Sequence, residues 1–251
     1  MAETSISSTT SSETTAGLQP AEPESHGLIA SPWHTLIVVL FGVLNACRSM
    51  WQAAQDRAGR GPGRPAVYGR ILFFELVFLG IVMAGVRLRR VSLEMIFGKR
   101  WRSGREVLRD MGLGICLLLL STVVASVLGG HQRGQVPDQK ISHLIPQTFL
   151  ELDLWMVVSL VAGICEEAVY RGYLQRQFSA LTRSAPIGIV LSAAGFGAAH
   201  LYQGIGRAAV IAVSGVVFGW FAHWRKTVRP GMVAHTLQDA IAPFLLKALR
   251  Q

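Results

Sequence analysis

Charge is what this chain has least of. Asp, Glu, Lys and Arg make up 16% of its 251 residues, where a soluble domain carries about 25%. Hydrophobic residues reach 51%. The shortfall excludes an ordinary water-soluble domain and points to a chain that meets lipid. Cysteine is scarce too, with Cys47, Cys116 and Cys165 alone. Their odd number and spacing match no metal knuckle, so they read as buried free thiols inside apolar runs. None of the seven histidines is followed directly by Glu, which removes the helical HExxH zinc-protease motif. No Ser or Cys stands with a His in a pattern that marks a nucleophile. The N-terminus, MAETSISSTTSSETTAGLQPAEPES, has neither the basic n-region nor the apolar h-region of a signal peptide. Its low complexity predicts a disordered tail over residues 1–30, leaving 31–251 as a membrane domain.

What the chain does have is a succession of apolar runs: Leu36–Cys47, Ile71–Val86, Met111–Gly130, Leu154–Cys165, Pro186–Tyr202, Ala208–Trp224 and Gly231–Leu249. About 20 apolar residues cross a bilayer as a helix. Helix is the open-chain solution in lipid, because every backbone polar group must be paired internally. The pattern predicts an all-α polytopic membrane protein of about seven transmembrane helices. The connectors fall at Ala58–Gly69, Gly129–Asp138 and Arg225–Pro230, rich in Gly, Pro and polar residues. The formal net charge of +9 comes from arginines in short loops that flank these runs. Such arginines serve membrane edges and anionic lipid, so lipid is an expected partner and nucleic acid is not. Alternate loops carry more Lys and Arg on the side shared with the N-terminal tail, which favours a cytoplasmic N-terminus. The cell's plasma membrane is the expected location.

Ionisable groups inside so apolar a chain need a reason, since each costs roughly 2.5–3.5 kcal/mol at the bilayer centre. The run LWMVVSLVAGI leads straight into CEEAVYRGYLQRQF, from Cys165 to Phe178. On a helix Glu167 and Arg171 are i,i+4 and can pair. Glu166 stands i,i+4 from Tyr170 and about 100° from Glu167, so Arg171 neutralises one carboxylate and leaves the other facing elsewhere. Cys165 is a further 100° or so round from Glu166, on an apolar stretch. The fifth run carries FGAAH, with Phe196 and His200 on one face, and the seventh carries HTLQD, with His235 and Asp239 on one face. Three neighbouring spans each holding proton-handling groups predict an intramembrane polar cavity. If the fourth and fifth runs form a hairpin, the midpoint of 166 and 200 is 183, inside the turn-like SALTRSAP (Ser179–Pro186). Glu166 and His200 then lie level. A carboxylate and an imidazole at one level can deprotonate a water and later protonate a leaving amine. A tetrahedral intermediate also needs a donor aimed at its oxyanion, and an N–H of His235 can supply one. Glu166, Glu167, His200 and His235 equally make an N,O set for zinc with an open position.

The ordered motifs Glu166-Glu167-Ala-Val-Tyr-Arg171, Phe196-Gly-Ala-Ala-His200 and His235-Thr-Leu-Gln-Asp239 resemble the CPBP family, the CAAX protease and bacteriocin-processing group of membrane proteins. The resemblance covers residues 148–246. It implies a glutamate-dependent intramembrane endopeptidase, similar to the type II CAAX prenyl endopeptidases that remove the last three residues after a prenylated cysteine. By that resemblance Glu166 and His200 activate the water, and Glu167 supports the site with Arg171. His235 and residue 239 stabilise the oxyanion, and Tyr170 and Phe196 belong to the supporting shell. No cofactor is expected, with zinc as the alternative; the substrate is a peptide or a lipidated protein. The eukaryotic prenyl proteases usually have Asn where this chain has Asp239. An ionised Asp cannot donate a hydrogen bond, so Asp239 is expected to orient His235 or to be protonated. Two other readings compete: a non-catalytic bacteriocin-immunity or scaffold protein of the same fold, and a transporter or proton relay. The relay predicts polar groups through both leaflets, whereas the motifs gather at one level.

Overall fold

The computed structural model describes residues 27–129 and 144–248, and among these every regular element is helical. Of the tail expected over 1–30, residues 1–26 lie outside the described residues, as does the connector beyond Gly129, whereas Ile29 and Ala30 are buried. The helices are α1 (Pro32–Arg57), α2 (Arg64–Leu88), the single turn α3 (Glu94–Phe97), α4 (Gly104–Gly129), α5 (Phe149–Glu166), α6 (Gln175–Thr182), α7 (Ala185–Ala199), α8 (Ile205–Arg225) and α9 (Arg229–Ala248). Four of them, α1, α2, α4 and α8, are long and apolar enough to cross a membrane. The expectation of about seven spans is met to that extent. The apolar α7 is shorter, at 15 residues. Charged residues dilute α5 with Glu151, Asp153 and Glu166, and α9 with Asp239 and Lys247.

Local chemistry sets the helix ends. Ser31 caps α1 by accepting from the His34 N–H, and Thr148 caps α5 by accepting from the Glu151 N–H. The connector expected at Ala58–Gly69 is shorter than its composition implied. Arg64–Gly69 is already helix, because Pro65 sits in the first turn, where its missing N–H costs nothing. Arg183 takes a left-handed conformation, φ 54°, and closes α6. Ser184 then caps α7 through the Ile187 N–H. The hairpin between the fourth and fifth runs therefore turns at 183–184, at the midpoint expected from the sequence.

Neighbour packing closes a ring: α1 on α2, α2 on α5, α5 on α9, α9 on α4, α4 on α8, α8 on α7, and α7 back on α1. Inside the ring runs the segment that joins α5 to α6. It packs against α2, α3, α7, α8 and α9, and all eight of its residues, Glu167–Leu174, are buried. The outer faces are apolar instead, with Leu36, Ile37 and Leu40 exposed on α1 and Leu119, Leu120 and Val123 on α4. Burial is thus inverted relative to a water-soluble bundle, as a lipid solvent requires. This inversion corrects the reading of the cysteines. Cys47 and Cys116 are exposed on the outer faces of α1 and α4, and Cys165 is buried; all three are free.

One end of the ring is tied down by polar side chains. Gln177 of α6 accepts from the Ile29 and Ala30 N–H groups at 2.6 and 3.2 Å, and its amide donates to the Ala30 carbonyl and the Thr35 hydroxyl. Thr227 donates to the Phe97 carbonyl at 2.8 Å, and Arg229 donates to the carbonyls of Gly98 and Lys99. The entry to α1 and the loops before α4 and α9 are each fixed by backbone carbonyl or amide partners, which leaves few unpaired groups at this end.

Candidate active site

The helix does not stop at the two glutamates. Glu167–Leu174 continues as a π-helix, with the Gln175 N–H bonded back to the Tyr170 carbonyl. A π segment carries more residues per turn than an α-helix and is found mostly at functional sites. Its carbonyls need extra partners, and the Ser192 hydroxyl of α7 donates to the Tyr170 carbonyl at 2.6 Å. In this wound-out geometry Glu166 and Glu167 do not diverge. Both reach His235 of α9: Glu166 Oε2 lies 3.6 Å from Nε2, and Glu167 Oε1 lies 3.4 Å from Nδ1. Asp239 Oδ2 lies 3.6 Å from the same Nε2. The Arg171 guanidinium donates to Glu167 Oε1 at 2.8 Å, as the i,i+4 spacing foretold.

Burial grades across this cluster. The Glu167 side chain is 0% exposed, that of His235 8%, that of Glu166 15% and that of Asp239 33%. The site is sealed at the Glu167–Arg171 pair and open at Asp239. Arg171 lies over the Phe196 ring at 4.2 Å and over Phe218 at 5.4 Å, so aromatic faces cover the charge that one carboxylate does not. Phe196 also meets His200 at 4.8 Å, His235 at 5.8 Å and Tyr170 at 5.1 Å between ring centroids, each edge to face. It is the hub that spaces the two histidines.

His200 caps the C-terminal end of α7, and its Nδ1 lies 2.9 Å from the Phe196 carbonyl. A carbonyl only accepts, so Nδ1 carries the proton and, in the neutral ring, Nε2 keeps the lone pair. Both His200 and Glu166 lie within electrostatic range of Asp239. The indole N–H of Trp155 donates to the Asp239 carbonyl at 3.0 Å and pins this turn of α9 to α5. Sequence reading thus named eight residues, from Glu166 to Asp239, that the fold brings into one cluster around Phe196 and His235.

The close approach of α9 depends on glycine. A Cβ at Gly231 would sit 2.6 Å from Glu167 Oε2, and one at Gly163 would sit 2.3 Å from the Thr236 hydroxyl. Gly231→Ala is therefore expected to push α9 away from the glutamates at a cost of about 1–3 kcal/mol. Thermal unfolding in detergent checks this, with Gly80→Ala, which meets open space, as the control.

Two residues at the site were not singled out from sequence. Glu75 of α2 comes within hydrogen-bonding reach of the Glu166 carboxyl and within electrostatic range of Asp239 and Arg48. Tyr202, just after His200, lies within electrostatic range of Glu166 and Asp239. The signal for Glu75 was present: it is the one charged residue in ILFFELVFLGIVMAGV, and an intramembrane carboxylate is a functional-site hypothesis by default. Tyr202 has no such mark.

On the other face of α9, Val233, Thr236 and Leu237 line an apolar groove of about 950 Å³ together with Met111, Leu160 and Ile164. Trp101, Arg100 and Arg229 also line it. Among the described residues no three His, Cys, Asp or Glu side chains gather as a metal-holding group.

Residues 148–241 match the protein family described as Rce1-like, type II CAAX prenyl endopeptidase Rce1-like. The match spans all three motifs and none of α1 to α4. No curated protein and no solved structure matches the chain.

Proposed function

We propose that this chain, with its Rce1-like segment over residues 148–241, is a glutamate-dependent intramembrane endopeptidase. The observation that carries the reading is the convergence of Glu166, Glu167 and Asp239 on His235 inside an apolar ring, with His200 beside them. Water enters on the Asp239 side, where the cluster is most exposed. Glu166 takes one proton from it, while the Nε2 of His200 accepts a hydrogen bond from its second O–H, as its oxygen attacks the scissile carbonyl carbon. An N–H of His235 donates to the oxyanion as the C=O bond becomes single. Collapse of the intermediate breaks the C–N bond, and the proton passes to the leaving amine. Arg171 holds Glu167, and Glu167 in turn holds His235 from the sealed side. Asp239 aligns His235 and adds negative charge near it; as an ionised group it donates nothing.

A lipidated peptide suits the groove on the far face of α9, whose lining is mostly hydrocarbon with Arg100 and Arg229 among it. By family resemblance the substrate is a C-terminal peptide after a prenylated cysteine. Zinc is the alternative cofactor, and no step above is routed through it.

The test is cleavage in detergent of matched prenylated and plain peptides, with the cut site read by mass spectrometry and a chelator added in a parallel arm. A single cut in the prenylated set, undiminished by chelator, is the expected result. A cut lost on chelation and restored by zinc overturns the metal-free mechanism. A biological effect that survives Glu166→Ala, with no peptide ever cut, supports the non-catalytic scaffold instead.

A further inference from the structure

The family match stops at residue 148 on its N-terminal side, yet one carboxylate from the unmatched half reaches the site. We infer that Glu75 is a positioning residue of this site: a carboxyl–carboxyl hydrogen bond from α2 holds Glu166 in place. The inference rests on the endopeptidase reading for its kinetic consequence but not for the contact itself.

Packing fixes the contact. Helices α2 and α5 are ring neighbours and run in the same direction, so paired residues ascend together along both. Tyr68 meets Trp155 with ring centroids 5.6 Å apart, and Phe78 meets Tyr170 at 6.1 Å. Glu75 falls between Tyr68 and Phe78, as Glu166 falls between Trp155 and Tyr170. The Phe78 and Tyr170 rings sit one turn beyond the acids and close that side with hydrocarbon. One oxygen of Glu75, Oε2, is buried without a hydrogen-bond partner, and so is Glu166 Oε2. Two buried, unpartnered carboxyl oxygens on facing helices are costly apart. Joined by one hydrogen bond, with Glu75 carrying the proton, they satisfy each other, and the Glu166 oxygen that approaches His235 is held in place.

Charge on the rest of α1 and α2 fits this role. Arg48 of α1 lies within electrostatic range of Glu75, and its guanidinium stacks on Phe74 at 3.6 Å. It also donates to Asn45 and Gln52. The groups facing Glu75 are therefore Glu166 and Asp239 from one side and Arg48 from the other. Arg48 is spent on α1 partners and an aromatic face, so the acid's close polar neighbour is Glu166.

The test compares Glu75→Gln with Glu75→Leu in full-length protein in detergent. Gln has the same shape and its amide can donate to Glu166, whereas Leu fills the space and donates nothing. If Glu75 positions Glu166, Leu lowers kcat by about 100-fold with KM unchanged, as a misplaced catalytic group does. Gln restores most of that loss. Equal kcat in the Leu variant and the wild type overturns the inference, and so does an equal loss in Gln and Leu. A second measurement needs no activity. Melting temperatures of Glu75→Leu, Glu166→Leu and the double variant form a cycle. Each single change orphans a buried carboxyl, so the double variant is expected to melt above the sum of the two losses. Strictly additive losses overturn the contact. If the wild type cuts no peptide while the cycle shows coupling, the endopeptidase reading fails and the Glu75–Glu166 pair stands.

Discussion

Glu166→Ala and His200→Ala are each expected to lower peptide cleavage by about 10²–10⁴-fold, the usual worth of a positioned acid or base. Glu166 has no replacement in the cluster. Glu167 is fully buried and committed to Arg171, and Asp239, on the same His235 nitrogen as Glu166, is the more exposed of the two. His200 likewise has no replacement in the proposed mechanism. Its Nδ1 is tied to the Phe196 carbonyl, whereas both His235 nitrogens already face carboxylates. The double variant should lose little more than either single one, because in the proposed mechanism the two groups serve the same proton transfer and such effects do not add. Initial rates on one cleaved peptide, normalised to monodisperse protein in detergent, measure this. Cleavage that persists in both single variants removes Glu166 and His200 from the reaction.

The largest stability effect is expected at Arg171. Its side chain is 2% exposed and that of Glu167 0%, so neither charge has water to fall back on. Arg171→Met keeps much of the volume and leaves Glu167 buried without its partner, at a cost of about 3–5 kcal/mol. Restoring neutrality with Glu167→Gln in the same chain should recover a good part, since the orphaned charge and not the lost pair is what destabilises. Arg171→Lys is not a mild change either. The planar guanidinium lies over Phe196 and Phe218 as well as against Glu167, and an ammonium cannot lie flat on a ring face. Thermal unfolding of the three variants separates the outcomes. A double variant no more stable than Arg171→Met means that aromatic stacking dominates instead.

The grouping of these side chains was legible where it follows from spacing. Residues four apart on a helix share a face, so Phe196 with His200 and His235 with Asp239 were bound to emerge together. The turn at Arg183 was legible because a hairpin has a midpoint. What escaped was set by other parts of the chain. Glu75 sits eleven residues into α2 and meets Glu166 only because α2 neighbours α5 in the ring, an order that no local pattern encodes. Two of the three cysteines were misjudged for a related reason. A thiol in an apolar run looks buried, but in lipid the outer face of a helix is apolar too, and Cys47 and Cys116 lie there. The π segment escaped as well. Cys165–Phe178 has an unremarkable helix composition, and its widened turn is imposed by the neighbours that crowd it on all sides.

That widened turn has a consequence for how the chain tolerates change. A π segment is an α-helix with a surplus residue, held open because both of its ends are anchored: upstream by Gly163 against Thr236, downstream by Gln177 against the Ile29–Thr35 stretch. Deleting one residue between those anchors would let the backbone relax into the tighter coil, whose larger rotation per residue keeps the two ends near their present register. What would be lost is the widened turn beside Glu166 and Glu167, which both reach one imidazole. A single-residue deletion there should therefore spare the fold and cost the cluster.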